Sequence, residues 1–257
     1  MSEGDHPVQN AFAMPAGLGV RSAGISDIGL KRGANEDALL MRDEAGLWLV
    51  ADGMGGHEHG AFASGVAVSG LRNIALPGDF DGAVGQIAER FHAINGHIWQ
   101  AGDPASDRPS GTTAVALVVR GHRFAILWVG DSRAYIYRSG GLFQLSTDHT
   151  MVQDLVDQGM LTEEQARSHP MSHVLSRALG VTEAVQVDIV QDQLEPGDRF
   201  LLCSDGLTGP VGTGPIRETL ALADPQACAE ALIAAAHAAG APDNVTVAVI
   251  DIVAEEP

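Results

Sequence analysis

The chain has 257 residues, of which 45% are hydrophobic, and its 33 acidic and 15 basic residues give a formal net charge of −18. A domain of this length buries roughly three quarters of its unfolded surface, so its core needs no disulfide. The strong negative charge argues against nucleic acid and against anionic membranes as partners. No apolar run approaches the ~18 residues that a membrane helix requires.

The cysteines and the N-terminal segment indicate the compartment. Cys203 lies in an apolar stretch and Cys228 in an Ala-rich helical one, so we expect two buried thiols rather than a disulfide. The acidic residues 1–6 lack the basic region of a secretory signal. We therefore expect a cytoplasmic protein.

The first half of the chain is predicted to contain a tail, three strands and two helices. Residues 1–18 hold prolines and glycines without periodicity, which is typical of a flexible tail. The second helix has apolar residues three and four positions apart along one face. The predicted strands are Val20–Asp27, Ala38–Arg42 and Leu47–Asp52, and the predicted helices are Ala61–Leu76 and Ala83–Trp99.

The second half is predicted to contain mainly strands, joined by Gly- and Asp-bearing turns that suit hairpins. A polar insert at about residues 150–180 interrupts them, and its second helix opens with Thr162 and Gln165, which match a capping box. The predicted strands are Thr113–Val119, Arg123–Val129, Ala134–Arg138, Leu142–Leu145, Val185–Val190, Arg199–Ser204 and Val245–Val253, and the predicted helices are Met151–Gly159, Thr162–Ser168 and Pro225–Ala239.

This order of elements predicts an α+β fold. It lacks the regular βαβα alternation of a doubly wound sheet, and its hairpin-length connections indicate antiparallel pairing. Two sheets packed face to face with helices outside fit the pattern best. Neither a linker nor an internal repeat divides the chain, so we expect one domain over residues 19–257, with the insert at about 150–180.

Several predicted strands lead directly into an aspartate. Asp52, Asp131 and Asp205 each follow an apolar run, and Asp37 and Asp243 lie where other strands begin. Two like charges 4 Å apart repel by about 4 kcal/mol at an effective dielectric near 20, so such a cluster needs cations. Hard divalent metals, which prefer oxygen ligands, would supply them. The pattern predicts a metallohydrolase.

Simpler explanations exist for each motif taken alone. Asp-Gly is a common hairpin-turn dipeptide, which would account for Asp52-Gly53 and Asp205-Gly206 without any ligand. His57 would by itself be a surface or capping residue, and the spacing of His57 and His59 does not match a zinc-binding His-Glu-x-x-His helix. The sequence also lacks a phosphate-binding P-loop and a serine-hydrolase elbow.

Six motifs taken in order identify a family resemblance over about residues 20 to 252. The chain resembles the metal-dependent serine/threonine protein phosphatases of the protein phosphatase 2C family, bacterial branch. The motifs are Arg32-x-x-Asn35-Glu36-Asp37, Asp52-Gly-Met-Gly-Gly-His57, Gly111-Thr-Thr, Gly130-Asp-Ser-Arg-Ala-Tyr135, Ser204-Asp-Gly-Leu207 and Asp243-Asn-Val-Thr246.

The resemblance implies an α-β-β-α sandwich of two mainly antiparallel sheets flanked by helix pairs, with a metal cleft between them. Two core ions, Mn²⁺ or Mg²⁺, and a weaker third ion are implied. Asp52 would bridge the core ions, and the Gly53 carbonyl would bind one of them. Asp205 and Asp243 would complete the shell of the other, and Asp131 would help to hold the third.

The remaining roles also come from the resemblance. Glu36 and Asp37 would act through bound waters or as hydrogen-bond acceptors behind the ligands, beside Asn244. Arg32 would grip the substrate phosphate with its bidentate guanidinium. Residues 150–180 would form a flap beside the cleft, where His169 and His173 would meet the substrate. One departure is visible: Gly209-Pro210 follows Thr208 where many relatives carry an acidic or amide residue.

The predicted reaction is the hydrolysis of phosphoserine and phosphothreonine in proteins. A hydroxide bridging two metals would attack phosphorus directly, because metal binding lowers the pKa of water from 15.7 toward ~7. His57 is the leading candidate to protonate the poor alkoxide leaving group. The expected partners are phosphorylated substrates of a serine/threonine kinase, and the expected state is a monomer.

Two alternatives remain open at this stage. One is a non-catalytic phosphoprotein-binding module, which would be marked by the loss of metal acids, although all five are present. The other is a metal phosphatase for small phosphoesters, which the ratio of activity on phosphopeptides to activity on sugar phosphates would distinguish.

Overall fold

The computed structural model describes Met14 and residues 17–102, 110–167 and 169–254, with only the backbone at positions 57 and 167. The predicted tail over residues 1–18 lies almost entirely outside the described residues. The strands are β1 Leu18–Asp27, β2 Asp37–Arg42, β3 Leu47–Met54, β4 Gly111–Thr112, β5 Ala114–Arg120, β6 Arg123–Val129, β7 Arg133–Arg138, β8 Gly141–Gln144, β9 Asp188–Gln193, β10 Arg199–Cys203 and β11 Val245–Ala254. The helices are α1 His57–Arg72, α2 Phe80–Ala101, α3 Met151–Asp157, α4 Glu163–Arg167, α5 Asp205–Thr208, α6 Thr213–Leu220 and α7 Pro225–Ala238.

The strands form two antiparallel sheets, as predicted. The first sheet has the order β2-β3-β5-β6-β9, with β4 pairing to β3, and the second has the order β1-β11-β10-β7-β8. β1 and β11 pair over ten residues, and β5 and β6 form a seven-residue hairpin ladder. The α+β class is therefore confirmed.

The alternation of side chains along the strands creates the layers. In β3, Leu47 and Leu49 face a core shared with α1 and α2, whereas Trp48 and Val50 face the core between the sheets. In β10, Leu202 points into the same inter-sheet core, and Leu201 packs against α6 and α7. Because successive residues point to opposite faces, each central strand is buried on both sides. The result is the α-β-β-α sandwich that the family resemblance implies.

Several element boundaries differ from the predictions. α1 begins at His57 rather than Ala61, directly after the glycines, and β9 begins three residues later than Val185. α5, α6 and β4 were not predicted. α5 is a single turn containing Gly206, and α6 contains Gly214 and Pro215, residues that disfavour a helix in its interior but are tolerated in the first turn.

Other predictions are confirmed. Cys203 and Cys228 are free and buried, and burial raises the pKa of Cys203 to about 12. Thr162 and Gln165 form the predicted capping box, in which each backbone N–H donates to the other side chain at 2.8 and 3.2 Å. Within the described ranges, none of the helices combines the length and apolar character needed to cross a bilayer.

Candidate active site

The strand ends bring the predicted acids to one edge of the sandwich. The β2–β3 register places Asp37 directly opposite Asp52. Asp205 begins α5, with only Ser204 between it and the end of β10. Asp131 follows β6, and Asp243 precedes β11. We call these five residues the carboxylate cluster.

The electrostatics of the carboxylate cluster show that its members crowd one another. Each residue keeps some exposed surface, but burial desolvates the carboxyl groups of four of them, Asp37, Asp52, Asp131 and Asp205. Desolvation raises the pKa of Asp37 to about 7, with further contributions from Asp205 and Asp243. Desolvation, followed by the charge of Asp205, raises that of Asp131 to about 7 as well. The pKa of Asp52 is raised well above its usual range by burial and by the other four acids.

Hydroxyl groups hold the backbone around Asp52 and Asp131. The Thr113 hydroxyl accepts the Asp52 N–H at 3.0 Å and shares a 2.6 Å hydrogen bond with the Ser132 hydroxyl. Thr113 and Ser132 are 2% and 1% exposed. This buried link fixes the end of β3 relative to the turn that carries Asp131.

A third hydroxyl and an unpartnered oxygen define the Asp37 side of the site. Ser204 donates to Asp37 Oδ2 at 2.8 Å and accepts the Thr246 N–H at 2.9 Å. Asp37 Oδ1, by contrast, is inaccessible to solvent and has no hydrogen-bond partner. A buried polar atom without a partner is costly, which indicates that this oxygen is satisfied by something the polypeptide does not provide.

Asn244 joins the loops on the other side of the carboxylate cluster. Its side chain is buried, accepts the Glu36 N–H at 2.8 Å, and donates to the Ile28 and Ala34 carbonyls at 2.8 and 3.0 Å. The Glu36 carbonyl in turn accepts the Gly53 N–H at 3.1 Å. Asn244 therefore ties the chain before β11 to the segment that leads into Asp37.

Arg32 contacts the carboxylate cluster directly. Its Nη2 lies 2.6 Å from Asp243 Oδ2, and the two side chains are 45% and 33% exposed. The hydrogen bond and charge of Asp243 raise the pKa of Arg32. The guanidinium therefore compensates the charge of one acid of the carboxylate cluster.

Two glycines allow the backbone to approach closely at the site. A side chain at Gly53 would collide with the carbonyl oxygens of Gly60 and Glu36, and one at Gly206 would collide with that of Asn244. Because the clashing atoms belong to the backbone, they cannot move aside cheaply. The glycines after Asp52 and Asp205 are therefore required by packing and are not explained by turn formation alone.

A cleft of about 700 Å³ opens from the carboxylate cluster toward the 150–180 segment. Asp131 and Asp205 lie in its wall, together with residues of β7, β8, α3, α4, α6 and the segments between them. His173 also lines this cleft, whereas His169 Nδ1 accepts the Met171 N–H at 3.2 Å within the segment. The structure thus brings His173 to the cleft and gives His169 a local hydrogen bond. His57 starts α1, but its side chain lies outside the described residues.

Comparison with known proteins decides the family. A protein-family model described as protein phosphatase 2C matches residues 31–246. The chain belongs to the protein phosphatase 2C family. It is 39% identical over 241 residues to the serine/threonine protein phosphatase PstP of Mycobacterium tuberculosis, covering 92% of this chain and 46% of that protein. The protein phosphatase PhpP of Streptococcus pneumoniae is 34% identical over 240 residues, with 90% of this chain and 97% of that protein covered.

Solved structures of this family share the fold. The structure of PppA from Pseudomonas aeruginosa has a TM-score of 0.85 at 38% identity, covering 95% of this chain and all of that one. The catalytic domain of PstP in complex with two manganese ions has a TM-score of 0.82 at 37% identity, covering 92% and 99% of the two chains. This chain spans about half the length of full PstP.

The donor set of this protein phosphatase 2C chain fits divalent metal ions. The ligands available are carboxylate oxygens, and Asp37 Oδ1 is unpartnered. Burial, followed by neighbouring acids, raises the pKa values of Asp52 and Asp131. In the described residues, no three acidic, His or Cys side chains already surround one point as a finished metal shell. In this arrangement Arg32 engages Asp243, one of these acids.

Sequence reasoning missed Thr113, Ser132 and Ser204 as functional residues. Each lies inside a motif that was recognised for another reason: Gly111-Thr-Thr, Gly130-Asp-Ser and Ser204-Asp-Gly. A small hydroxyl residue beside a predicted metal acid is the signal that could have identified them.

Proposed function

We propose that this chain is a metal-dependent protein phosphatase that hydrolyses phosphoserine and phosphothreonine. The observation that supports this most is the carboxylate cluster, in which burial and then four neighbouring acids raise the pKa of Asp52. Manganese ions are named in the PstP structure that shares this fold. Two Mn²⁺ or Mg²⁺ ions, when bound, would activate a water as the nucleophile and neutralise the charge on the phosphoryl oxygens.

The residues of the chain have separate tasks in this proposal. Asp52, the Gly53 carbonyl, Asp205 and Asp243 would hold the two core ions, and Asp131 would hold a weaker third. Arg32 would turn from Asp243 to the substrate phosphate, because a cation at Asp243 would compete with the guanidinium for the same carboxylate. Glu36, Asp37 and Asn244 would fix the ligands from behind, and His57 would protonate the leaving oxygen.

The proposed substrates are proteins phosphorylated by a serine/threonine kinase. A cleft of about 700 Å³ beside the carboxylate cluster is within the range of sites that hold a sizeable ligand. It has room for residues that flank the phosphorylated one. Two free, buried thiols also fit the reducing cytoplasm in which we place the protein.

The direct test compares a phosphothreonine peptide with a sugar phosphate as substrates of the Mn²⁺-loaded protein. We expect a higher kcat/KM on the peptide, and no turnover of either substrate after exhaustive treatment with EDTA. Full turnover in EDTA would remove the metal mechanism. Preference for the sugar phosphate would leave a phosphatase whose substrate is a small molecule.

Metal binding should stabilise the fold, and increasingly so as the pH rises. Because the pKa of Asp37 is raised from 3.8 to about 7, its protonated form favours folding below pH 3.8, and this contribution is lost as the pH rises through about 7. The metal-free protein should therefore lose thermal stability over that window. Mn²⁺ at 100 times its Kd should add about 2.7 kcal/mol.

The measurement is thermal unfolding at pH 5, 6, 7 and 8, with Mn²⁺ and with EDTA. Asp37→Asn serves as the control, because it cannot ionise and should weaken the pH dependence in EDTA, leaving the part that comes from Asp131 and the other acids. Equal Mn²⁺-induced shifts in Tm at pH 5 and pH 8 would contradict the assignment of the carboxylate cluster as the metal site.

The two histidines of the 150–180 segment should differ in effect. His173 lines the cleft, so His173→Ala should change kcat/KM on phosphopeptides while hydrolysis of p-nitrophenyl phosphate stays within about threefold. His169 bonds within its own segment, so His169→Ala is the matched control and should alter peptide specificity less. Parallel loss on both substrates in the His173 variant would make the segment a structural support of the cleft.

A further inference from the structure

His149 lies between the turn that carries Asp131 and the start of the 150–180 segment. The side chain is 3% exposed, and its ring stacks on Trp128 with centroids 6.0 Å apart. Two hydrogen bonds connect it to Gly130: the Gly130 N–H donates to His149 Nδ1 at 3.0 Å, and the His149 N–H donates to the Gly130 carbonyl at 3.0 Å. Gly130 is the residue immediately before Asp131.

The partners of the ring determine which nitrogen carries the proton. A backbone N–H can only donate, so Nδ1 must be the acceptor and Nε2 must hold the hydrogen. Nε2 lies 3.1 Å from Asp188 Oδ2, which accepts that hydrogen, and Arg177 holds Asp188 from the other side at 3.0 Å. Burial, followed by the charge of Arg177, lowers the pKa of His149, which favours this neutral form.

The conformation of Gly130 requires a glycine. Its φ of +105° is one that residues with side chains rarely adopt, and a Cβ there would lie 2.6 Å from Thr113 Cβ. Glycine therefore gives the turn the required freedom but contributes no side-chain restraint of its own. The imidazole of His149 supplies a side-chain restraint by accepting the Gly130 N–H.

We infer that His149 is a positioning residue that orients Asp131 through the Gly130 amide. This inference rests on the proposed function, in which Asp131 helps to hold a metal ion. The same residue anchors the neighbouring segment: the Ser176 N–H donates to the His149 carbonyl at 2.9 Å, and Thr150, the next residue, caps α3. His149 thus connects the base of the 150–180 segment to the carboxylate cluster.

The test uses two substitutions, each of which places a polar group near a different ring nitrogen of the imidazole. His149→Asn retains an acceptor near the position of Nδ1, whereas His149→Gln places its amide near Nε2 and leaves the Gly130 N–H without an acceptor. On a phosphopeptide with Mn²⁺, we expect His149→Gln to lower kcat roughly tenfold, in line with residues that orient metal ligands. His149→Asn should remain close to wild type.

Two readouts do not depend on turnover. In ¹⁵N NMR spectra of the wild type, Nδ1 should be unprotonated and Nε2 protonated, and the Gly130 amide should exchange slowly. Fast exchange of this amide is expected in His149→Gln but not in His149→Asn. Mn²⁺ titration calorimetry should show weakening of the most weakly bound ion in the Gln variant, with the tighter ions unchanged.

A double-mutant cycle with Asp131→Ala separates the possible failures. If His149 acts through Asp131, then His149→Gln adds no further loss of kcat in the Asp131→Ala background. Additive losses, or equal losses in the Asn and Gln variants at matched Tm, would overturn the inference while leaving the proposed role of Asp131 intact. Wild-type kcat in Asp131→Ala alone would instead remove the role of Asp131, and the inference with it.

Discussion

Asp52→Asn should lower kcat on a phosphopeptide by about a thousandfold or more, which corresponds to about 4 kcal/mol of barrier. Asp52 is the acid that every other member of the carboxylate cluster affects electrostatically, and the proposed function makes it the ligand shared by both core ions. Asparagine keeps the size of the side chain but removes the charge that would hold two cations together. Loss of activity is expected to accompany loss of tightly bound Mn²⁺ in titration calorimetry.

The same substitution should leave the metal-free fold at least as stable as the wild type. The pKa of Asp52 is raised, so in the metal-free protein its ionised form opposes folding as the pH rises. A neutral amide removes that penalty. Thermal unfolding in EDTA at pH 8 should therefore give a Tm equal to or above that of the wild type, even though the enzyme is inactive.

Asp251→Asn is a control that is expected to lower the stability of the metal-free protein. Asp251 is also buried, but it accepts from Arg199 Nη2 at 2.7 Å and belongs to a satisfied ion pair. Removing its charge leaves a buried guanidinium with a weaker partner, which typically costs about 3–5 kcal/mol. If both Asp→Asn variants were destabilised to the same extent in EDTA, Asp52 would be an ordinary structural acid and not a member of a repulsive cluster.

The carboxylate cluster could be predicted from the sequence because strand periodicity is local. An apolar run that ends in an acid specifies both the strand and the edge at which the acid emerges, as Asp52 and Asp205 show. The two-sheet sandwich followed from hairpin-length connections. These features depend on residues that are close in the chain, so a single sequence contains the information.

The contacts that tune the site could not be predicted in the same way. The Arg32–Asp243 pair joins residues 211 positions apart, and the Ser204–Asp37 bond joins residues 167 apart. Such pairs depend on how the two sheets pack against each other. A sequence motif does not say how far apart its residues will lie from those of another motif in the folded chain. α6 shows that local prediction can fail as well. Gly214 and Pro215 argue against a helix, although Ile216 and Leu220, four residues apart, are buried as in an amphipathic helix.

Asn244→Ala should destabilise the protein by roughly 3–5 kcal/mol and weaken Mn²⁺ binding by about 10- to 100-fold. The stability loss follows because three backbone groups, among them the Glu36 N–H, lose their buried partner. Weaker Mn²⁺ binding is expected because the Asn244 side chain holds the segment beside Asp243 against the segment that leads to Asp37. Urea unfolding in EDTA gives the first quantity, and Mn²⁺ titration calorimetry gives the second.

The chain offers a closely matched control in Asn95. Its side chain is also buried and makes the same three kinds of bond: it accepts the Gly180 N–H at 2.8 Å and donates to the Thr182 and Glu183 carbonyls at 3.0 and 3.1 Å. These bonds join α2 to residues 180–183, and none of them is made to a member of the carboxylate cluster. Asn95→Ala should therefore cost a similar free energy of unfolding but leave Mn²⁺ affinity, and kcat on p-nitrophenyl phosphate, within about twofold of wild type. If the two variants weakened Mn²⁺ binding equally, the metal effect of Asn244 would be a consequence of general destabilisation, and its place behind Asp243 would have no specific role.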